Sequence, residues 1–381
     1  MLILSVQEID QTPQDKIATY VKAILDPRGN YVPMLNCLAP DLSLYEHLKP
    51  STSSLHSSFS KTQYFFALNL RENMAVLPRL LGSTIEVIQF LGPEHCALSI
   101  VEGNSHDGTG DVLAALEPHL DAGLRVHFTL GSQIDPLGGA RFAKLAELRN
   151  LALSPMLEDP KRYGDATVVF LNDVIICPDD ILELIHQRVN IGADMACAMD
   201  WIVGSDDIVF YDVYISRGIS GDLFFDIPKD ASWSRATNLF WNDKESKQRF
   251  DAKKPLQVFS CWNGAVVFTA KPFVEKKLAF RRAYQQSGEC SNGEPELFCK
   301  DMWLNGHGKI AVVPYINLVY KPEDGERIKY EKGYTLERKR PADPTQDQIV
   351  WKPPPEKVKC MPTFDRQYWT PWNDVDRSKV A

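Results

Sequence analysis

Apolar and polar residues alternate in two distinct ways along the first 200 residues. Short, nearly continuous apolar runs at residues 64–68 and 96–101 predict buried strands. Between these runs, residues 78–91 carry apolar side chains at helical spacing, with a proline near the first turn. Strands that alternate with helices of about 10–15 residues are typical of a mostly parallel sheet with helices on its faces. The pattern therefore predicts an α/β fold.

The same reasoning extends this pattern along the chain and divides it into segments. Further helices are predicted at residues 15–25, 111–120, 141–153, 178–189 and 295–304, and further strands at 125–130, 167–171 and 194–199. Residues 1–60 are predicted to be a lead-in that ends in a polar linker, because serine, threonine and proline dominate from residue 50. Residues 61–320 form the main domain, with its halves meeting near residue 200, and residues 321–381 form a C-terminal extension.

Composition and charge exclude several classes of protein. The chain has 44% apolar and 24% charged residues, as globular domains do. Its net charge of −8 and lack of a dense basic stripe argue against nucleic-acid binding. The densest basic stretch, residues 337–340, is expected to be solvated surface. No apolar run reaches the roughly 18 residues of a membrane span, so either the protein is cytoplasmic or a membrane anchor lies upstream of the given sequence.

The eight cysteines contain no C-x-x-C pair, which disfavours zinc ribbons and thioredoxin-like redox chemistry. Four lie in or beside apolar runs and are expected to be buried small hydrophobes: Cys96, Cys177, Cys197 and Cys261. Three lie in polar surroundings and are the candidates for disulfides in an oxidising compartment: Cys290, Cys299 and Cys360.

Polar residues directly after the predicted strands are the first candidates for chemistry, since ligands of parallel sheets bind at the carboxyl ends of strands. Residues 102–109 follow one strand and open a helix. Glu102 can accept hydrogen bonds from a base or a ribose, and Ser105 and Asp107 add polar contacts. The alternative is an Asx-rich turn that only caps the helix.

A second candidate follows the strand at 167–171. Asp173 can hold Mn²⁺ or Mg²⁺, which would neutralise a diphosphate leaving group, whereas Asn172 offers only a neutral oxygen. Arg149, on the preceding helix, has the planar fork that suits a phosphate. The alternatives are a turn-forming Asp and a charge on a solvated helix face. Asp179 and Asp180 are simply helix-start residues favoured by the helix dipole.

The second half of the chain contains further candidates for binding a substrate. Glu294 and Asp301 are seven residues apart on one helical face. A carboxylate there could act as a general base toward a substrate hydroxyl, or hold that hydroxyl in place. The alternative for each is a solvated carboxylate. Trp262 and Asn263 stand beside a glycine and suit the apolar faces and hydroxyls of a sugar, although core packing is the alternative for Trp262.

Three further residues are weaker candidates. Asp200 and Asp212 are second-rank candidates for a functional carboxylate. His307 lies between two glycines and is expected to be an exposed loop residue rather than a metal ligand.

Eight sequence runs, taken in order over about residues 60–335, resemble the fungal α-1,3-mannosyltransferase family, glycosyltransferase family 69. The most distinctive are Ile100-Val-Glu-Gly-Asn-Ser-His-Asp-Gly-Thr, Phe170-Leu-Asn-Asp-Val, Cys261-Trp-Asn-Gly-Ala and Gly293-Glu-Pro-Glu-Leu-Phe-Cys-Lys-Asp-Met-Trp. The resemblance implies a GT-A fold, a GDP-mannose donor, a mannose-containing glycan acceptor and Mn²⁺ or Mg²⁺. It also implies α-1,3 transfer with retention of configuration, and a Golgi or other secretory-pathway location with a membrane anchor that this chain lacks.

On this basis residues 61–200 are expected to bind the nucleotide sugar and residues 201–320 the acceptor. The hypothesis assigns nucleotide-sugar contacts to Glu102, Ser105, Asp107, Arg149 and Asn172. It assigns the metal to Asp173, the acceptor to Asp212, Trp262 and Asn263, and catalysis to Glu294 and Asp301. Two alternatives remain: a glycosyltransferase that uses a UDP-sugar, and a non-catalytic carbohydrate-binding protein on the same fold, suggested by the missing second aspartate beside Asp173.

Overall fold

The structure, a computed structural model, describes residues 13–50, 61–204, 207–276, 278–340 and 343–374. Its strands are β1 Tyr64–Leu70, β2 Cys96–Glu102, β3 Arg125–Thr129, β4 Thr167–Leu171, β5 Met195–Val203, β6 Ile208–Phe210, β7 Arg217–Gly218, β8 Leu256–Ser260, β9 Ala265–Thr269, β10 Ile310–Val319, β11 Lys357–Thr363 and β12 Arg366–Pro371. Its helices are α1 Pro13–Leu25, α2 Leu77–Leu91, α3 Thr109–Leu116, α4 Arg141–Glu158, α5 Pro160–Tyr163, α6 Pro178–Asn190, α7 Lys244–Asp251, α8 Lys271–Lys276, α9 Glu294–Leu304 and α10 Gly325–Lys332.

The central sheet has the strand order β3-β2-β1-β4-β9-β5-β10-β8-β7, with β6 paired to β5. Strands β3, β2, β1 and β4 are parallel neighbours, as are β5 and β10. Strand β9 runs antiparallel between β4 and β5, so both groups of parallel strands point the same way. The predicted α/β class and mostly parallel sheet with flanking helices are therefore confirmed.

Alternate residues of each inner strand enter different halves of the core, as the pleat of a strand requires. On β4, Val168 and Phe170 pack in one hydrophobic cluster, whereas Val169 and Leu171 pack in the other. The first cluster also receives apolar residues of α4 and α9, and the second those of α2 and α6. Helices thus cover both faces, which explains why these strands are continuously apolar.

Two predicted helices differ from the structure at their ends. The helix predicted at 111–120 stops at Leu116 and continues as a short 3-10 turn, Glu117–His119. Pro118 explains this, because its nitrogen has no hydrogen to donate to a helix carbonyl. Helix α4 runs on to Glu158 and contains Pro155.

The described part of the predicted lead-in packs on the main domain. Helix α1 contacts α2 and α3, and Cys37 forms a disulfide with Cys177 immediately before α6. Residues 1–12 and 51–60, which include most of the predicted linker, lie outside the described residues. The division of the chain into three segments remains a prediction.

Four of the seven cysteines with a prediction differ from it in their bonding. Disulfides join Cys37 to Cys177, Cys197 to Cys261 and Cys290 to Cys360. Cys177, Cys197 and Cys261 are buried as expected, but they are bonded because the sheet brings distant apolar segments within reach of each other. The prediction for Cys290 and Cys360 is confirmed. Cys299, also expected to be able to pair, is a buried free thiol like Cys96.

Candidate functional site

A cleft of about 640 Å³ lies at the carboxyl ends of the central strands. Its walls come from the ends of β1 and β4, from α4, from the segment after β6 and from the start of α9. Polar side chains from all these elements line it: Asn69, Arg149, Asn172, Asp173, Asp212 and Glu294. Five of these six were singled out from the sequence.

The centre of the cleft is a hydrogen-bonded cluster around Arg149. Its Nε donates to Glu294 Oε1 at 3.0 Å, and another guanidinium nitrogen donates to Asn172 Oδ1 at 3.4 Å. The same Asn172 oxygen accepts a bond from the indole N–H of Trp262 at 3.0 Å. Two helices, one strand end and one loop are therefore joined through four side chains.

Aromatic rings hold the Arg149 guanidinium from the other side. Its central carbon lies 4.5 Å from the ring centre of Trp262, 5.3 Å from that of Phe170 and 5.7 Å from that of Phe280. Such cation–π contacts strengthen where water is excluded. The Arg149 side chain is only 12% exposed, so the cleft contains a fixed positive charge rather than the solvated one allowed as an alternative.

Asp173 is exposed at the cleft, one residue beyond Asn172. The side-chain amide of Asn73 donates to one of its oxygens at 3.3 Å. Asn172 Oδ1 already accepts two hydrogen bonds, which leaves Asp173 as the available ligand of this pair for a cation. Within the described ranges, no group of three or more His, Cys, Asp or Glu side chains is placed to hold a metal. A single carboxylate fits a metal that takes its other ligands from substrate phosphates and water.

Two carboxyl groups lie close together beside this cluster. The backbone N–H of Asp212 donates to Asp200 Oδ1 at 3.3 Å, and the Tyr320 hydroxyl donates to Asp200 Oδ2 at 2.9 Å. Burial raises the pKa of Asp200 well above its usual value, and the charge of Asp212 raises it further. Burial also raises the pKa of Asp212 to about 6, although the Asn263 N–H and Arg149 act in the opposite direction. The pair therefore holds a proton to a higher pH than isolated carboxylates would.

The turn between β8 and β9 supports the cleft from beneath. Asn263 has a φ of 52° and Gly264 a φ of 78°, and a Cβ on Gly264 would come within 2.9 Å of a methyl group of Val174. The Asn263 side chain is fully buried and bonds to Ala198 and Ser216, while its backbone N–H donates to Asp212 at 2.9 Å. Asn263 thus positions Asp212 instead of reaching the cleft surface.

Trp262, like Asn263, is buried beneath the cleft, with only 1% of its surface exposed. Its ring packs edge-on against Phe170, Phe280 and Phe298. The core-packing alternative is therefore correct for the ring, while the indole N–H fixes Asn172.

The loop after β2 bonds both to itself and to the neighbouring loops that follow β1 and β3. Glu102 accepts hydrogen bonds from the backbone N–H groups of Ser105 at 2.6 Å and Gly131 at 2.9 Å. Burial favours a higher pKa for Glu102, but these bonds outweigh it and lower the pKa. Asp107 accepts from Thr109 at 2.6 Å and from the backbone of Met74 at 2.9 Å. Ser105 Oγ in turn accepts from the backbone N–H of residue 72. Their assignment to nucleotide binding remains a prediction, and the turn-forming role is the one their contacts support.

Asp301 and His307 do not lie in the cleft. Asp301 forms a two-pronged ion pair with Arg281, at 2.7 and 3.0 Å. His307 precedes β10 and contacts Asp194, which precedes β5, so it sits at the opposite edge of the sheet. The structure does not bring Asp301 to the position expected of a catalytic residue.

The prediction for the basic stretch needs correction, whereas the helix-start prediction for Asp180 is confirmed. The basic stretch at 337–340 is not simply solvated, because Arg338 pairs with Asp347 and Arg340 pairs with Glu183. Asp180 begins α6 as expected, but it is wholly buried in an ion pair with Lys329.

Several cleft residues were not singled out from the sequence. Asn69 lies near the end of β1, where the same strand-end rule that selected Asn172 applies to it. Three aromatic side chains that line the cleft are substantially exposed: Phe142, Tyr211 and Tyr214. Residues Met361 and Pro362 of β11 complete the wall, and no local signal links them to it because that strand lies far along the chain.

Residues 63–301 match the family described as Cryptococcal mannosyltransferase 1. The chain belongs to this mannosyltransferase family. It is 38% identical over 318 residues to the alpha-1,3-mannosyltransferase CMT1 of Cryptococcus neoformans, covering 79% of this chain and 68% of that protein. The family resemblance and the prediction that the chain is a glycosyltransferase are thereby confirmed.

Solved structures similar to this family member are more distant. The Staphylococcus aureus TarS 1-349 structure with UDP gives a TM-score of 0.39 at 12% identity, covering 71% of this chain and 64% of that one. The chain thus spans less than two thirds of the TarS structure. Mannosyltransferase PcManGT from Pyrobaculum calidifontis, in complex with GDP-Man and Mn²⁺, gives a TM-score of 0.38 at 11% identity, covering 80% and 68%.

Proposed function

We propose that this protein transfers mannose from GDP-mannose to a mannose-containing glycan in α-1,3 linkage, with retention of configuration, on a GT-A fold. The observation that carries the proposal is the meeting of Arg149, Asn172, Asp173, Asp212 and Glu294 in one cleft at the carboxyl ends of the strands. Family membership supports the choice of sugar and donor.

The donor end of the cleft combines a fixed cation, Arg149, with an exposed carboxylate, Asp173. Asp173 would hold Mn²⁺ or Mg²⁺, and a bound divalent ion would neutralise charge on the diphosphate leaving group. Arg149 adds a positive charge that its ring contacts hold in place before substrate arrives. Arg141, exposed at the cleft, has no ion pair among the described residues and is available to a phosphate.

Glu294 is the carboxylate best placed for the reacting sugar. It lies at the first position of α9, lines the cleft and is 3% exposed, so its charge is poorly screened by water. A positive charge develops at the anomeric carbon when a glycosidic bond to phosphate breaks, and a fixed carboxylate stabilises it. Asp301 is not part of this proposal.

The acceptor end is assigned to the exposed aromatic side chains of the cleft. Tyr211 and Tyr214 flank Asp212 in sequence, and both expose more than a third of their surface. Flat rings suit the C–H faces of a sugar, while Asp212 can accept a hydrogen bond from a hydroxyl. Trp262 and Asn263 are proposed to act beneath them, through Asn172 and Asp212.

We further propose that the protein works in the lumen of the secretory pathway. Three disulfides suit an oxidising compartment. Among the described residues, no helix has the length and apolar character needed to span a membrane.

Donor hydrolysis tests the proposal. The protein would be incubated with GDP-mannose and a panel of UDP-sugars, with Mn²⁺ or with EDTA, and released nucleotide measured. We expect release of GDP from GDP-mannose that EDTA abolishes. Faster turnover of a UDP-sugar would retain the site but reject the donor. No turnover together with no thermal stabilisation by GDP or UDP would favour a non-catalytic carbohydrate-binding protein.

A further inference from the structure

A second cavity, of about 540 Å³, lies apart from the catalytic cleft and shares no lining residue with it. It is bounded by residues 251–254 at the end of α7, by Tyr315 of β10 and by the end of α10. Residues 334, 337–339, 346 and 347 complete its wall. Its volume is within the range of small-molecule sites. Nothing in the proposed transfer reaction uses it.

The charge of this cavity opposes that of the whole chain, whose net charge is −8. Five cationic side chains line it: Lys253, Lys254, Lys332, Arg338 and Lys339. The acidic side chains that line it are Asp251, Glu337 and Asp347. The excess is therefore two positive charges in a concave space, where charges of one sign focus the local field.

Each acidic residue of the cavity already has an ion-pair or hydrogen-bond partner. The excess of positive charge that a ligand can meet is therefore larger than two. Both oxygens of Asp347 accept from Arg338, at 2.8 and 2.9 Å, and Asp251 pairs with Lys247 at 2.9 Å. Glu337 accepts a hydrogen bond from the backbone N–H of residue 334 at 3.1 Å. Within the described part of the chain, the cavity lysines without an ion pair are Lys253, Lys254, Lys332 and Lys339.

Arg338 adds an unsatisfied donor to this group. Its guanidinium carbon lies 4.0 Å from the ring centre of Tyr315. One of its terminal nitrogens, Nη1, is buried and has no hydrogen-bond partner among the described residues. A buried donor without an acceptor costs free energy.

Two of the lysines are held in ways that cost stability. Lys253 has a φ of 52°, a left-handed conformation in which Gly or Asn is the ordinary choice. Lys332 is half-buried, with its ammonium 4.1 Å from the ring centre of Trp201. Burial lowers the pKa of Lys332, so the fold opposes the charge that this position carries. Costs of this kind concentrate at functional sites.

We propose that this cavity is a second binding site, separate from the catalytic cleft, for an oxyanion carried by a small molecule or a sugar residue. Lysines act as point charges toward an oxyanion, and Arg338 supplies a directed donor. A phosphate group and the carboxylate of an acidic sugar share this chemistry. The site does not depend on the identity of the donor.

Isothermal titration calorimetry with sodium phosphate and, separately, sodium glucuronate tests this at constant ionic strength. The test variant is Lys253→Gln/Lys339→Gln, in which both lysines are exposed and replaceable without cavities. The control is Lys161→Gln/Lys229→Gln, which makes the same charge change at exposed positions away from the cavity.

We expect at least one anion to bind the unmodified protein. The test variant should bind it about tenfold more weakly or worse, because two charge-assisted contacts are lost, and the control should bind normally. The anion that binds more tightly identifies the source of the oxyanion. Equal binding by the test and control variants would place the anion elsewhere and overturn the proposal, as would no saturable binding of either anion. GDP-mannose hydrolysis by the test variant should be unchanged, which keeps this result separate from the proposed function.

Discussion

The ion pair between Arg149 and Glu294 offers the sharpest test of how the cleft is built. We consider Arg149→Met, which keeps most of the side-chain volume but removes the charge and all donors. It would leave Glu294, only 3% exposed, without the cation that donates to it at 3.0 Å. It would also remove the cation–π contact with Trp262.

The expected cost follows from this burial. Removing one partner of a buried ion pair costs about 3–5 kcal/mol, because an unpaired charge is left behind. The cation–π contact contributes another ~0.5–2 kcal/mol. Since the cleft admits some water to Glu294, we expect the low end, about 3 kcal/mol of unfolding free energy. Adding Glu294→Gln removes the stranded charge, so the double variant should recover about 1–3 kcal/mol relative to the sum of the single variants.

Urea unfolding of the four proteins measures these values, and GDP release from GDP-mannose measures function in parallel. A loss below about 1 kcal/mol for Arg149→Met, or simple additivity in the double variant, would refute the buried-pair reasoning. Glu294→Gln should lower turnover about 100-fold or more if Glu294 faces the reacting carbon. Full turnover by a destabilised Glu294→Gln protein would mean that Glu294 serves only to hold Arg149.

Three other outcomes are expected. Asp173→Asn should lower Mn²⁺-dependent GDP release about 100-fold. The control Asp111→Asn, at an exposed helix start, should leave GDP release unchanged. Similar losses in both variants would contradict the assignment of Asp173 as a metal ligand. The pKa of Asp212 is about 6 in the folded protein and about 3.9 in the unfolded chain, so the unfolding free energy should fall as pH rises between these two values. Urea titrations of Asp212→Asn should show a smaller dependence on pH over this range. Replacing Cys290 and Cys360 by Ser should destabilise the protein by about 2–4 kcal/mol. It should also raise the KM for the acceptor, because β11 forms part of the cleft wall, while donor hydrolysis is retained. An unchanged acceptor KM would mean that β11 does not contribute to the acceptor site.

Several features of the site could be read from short stretches of chain. Asp173 and Asn172 follow a buried apolar strand, and chemistry at parallel strand ends is a general consequence of the topology. Glu294 was selected by its place at a helix start within a family-like run, and it does line the cleft. Asp301 was selected for the same reason but does not line the cleft. It lies seven residues further along α9, which places it about 10 Å from Glu294 along the helix axis. At that distance it meets Arg281 instead.

The sequence by itself determined the α/β class and most element positions, because strand and helix periodicity are local properties of burial on one or two faces. It also determined the family, through ordered runs of specific residues. Only the tertiary structure decided which of those residues meet. Arg149 and Glu294 are 145 residues apart, and the cysteines that pair are separated by 64 to 140 residues. No local pattern specifies such a pair. Its partners are neighbours only because of the order of strands in the sheet, where β9 lies between β4 and β5, and because helices pack on both faces of that sheet.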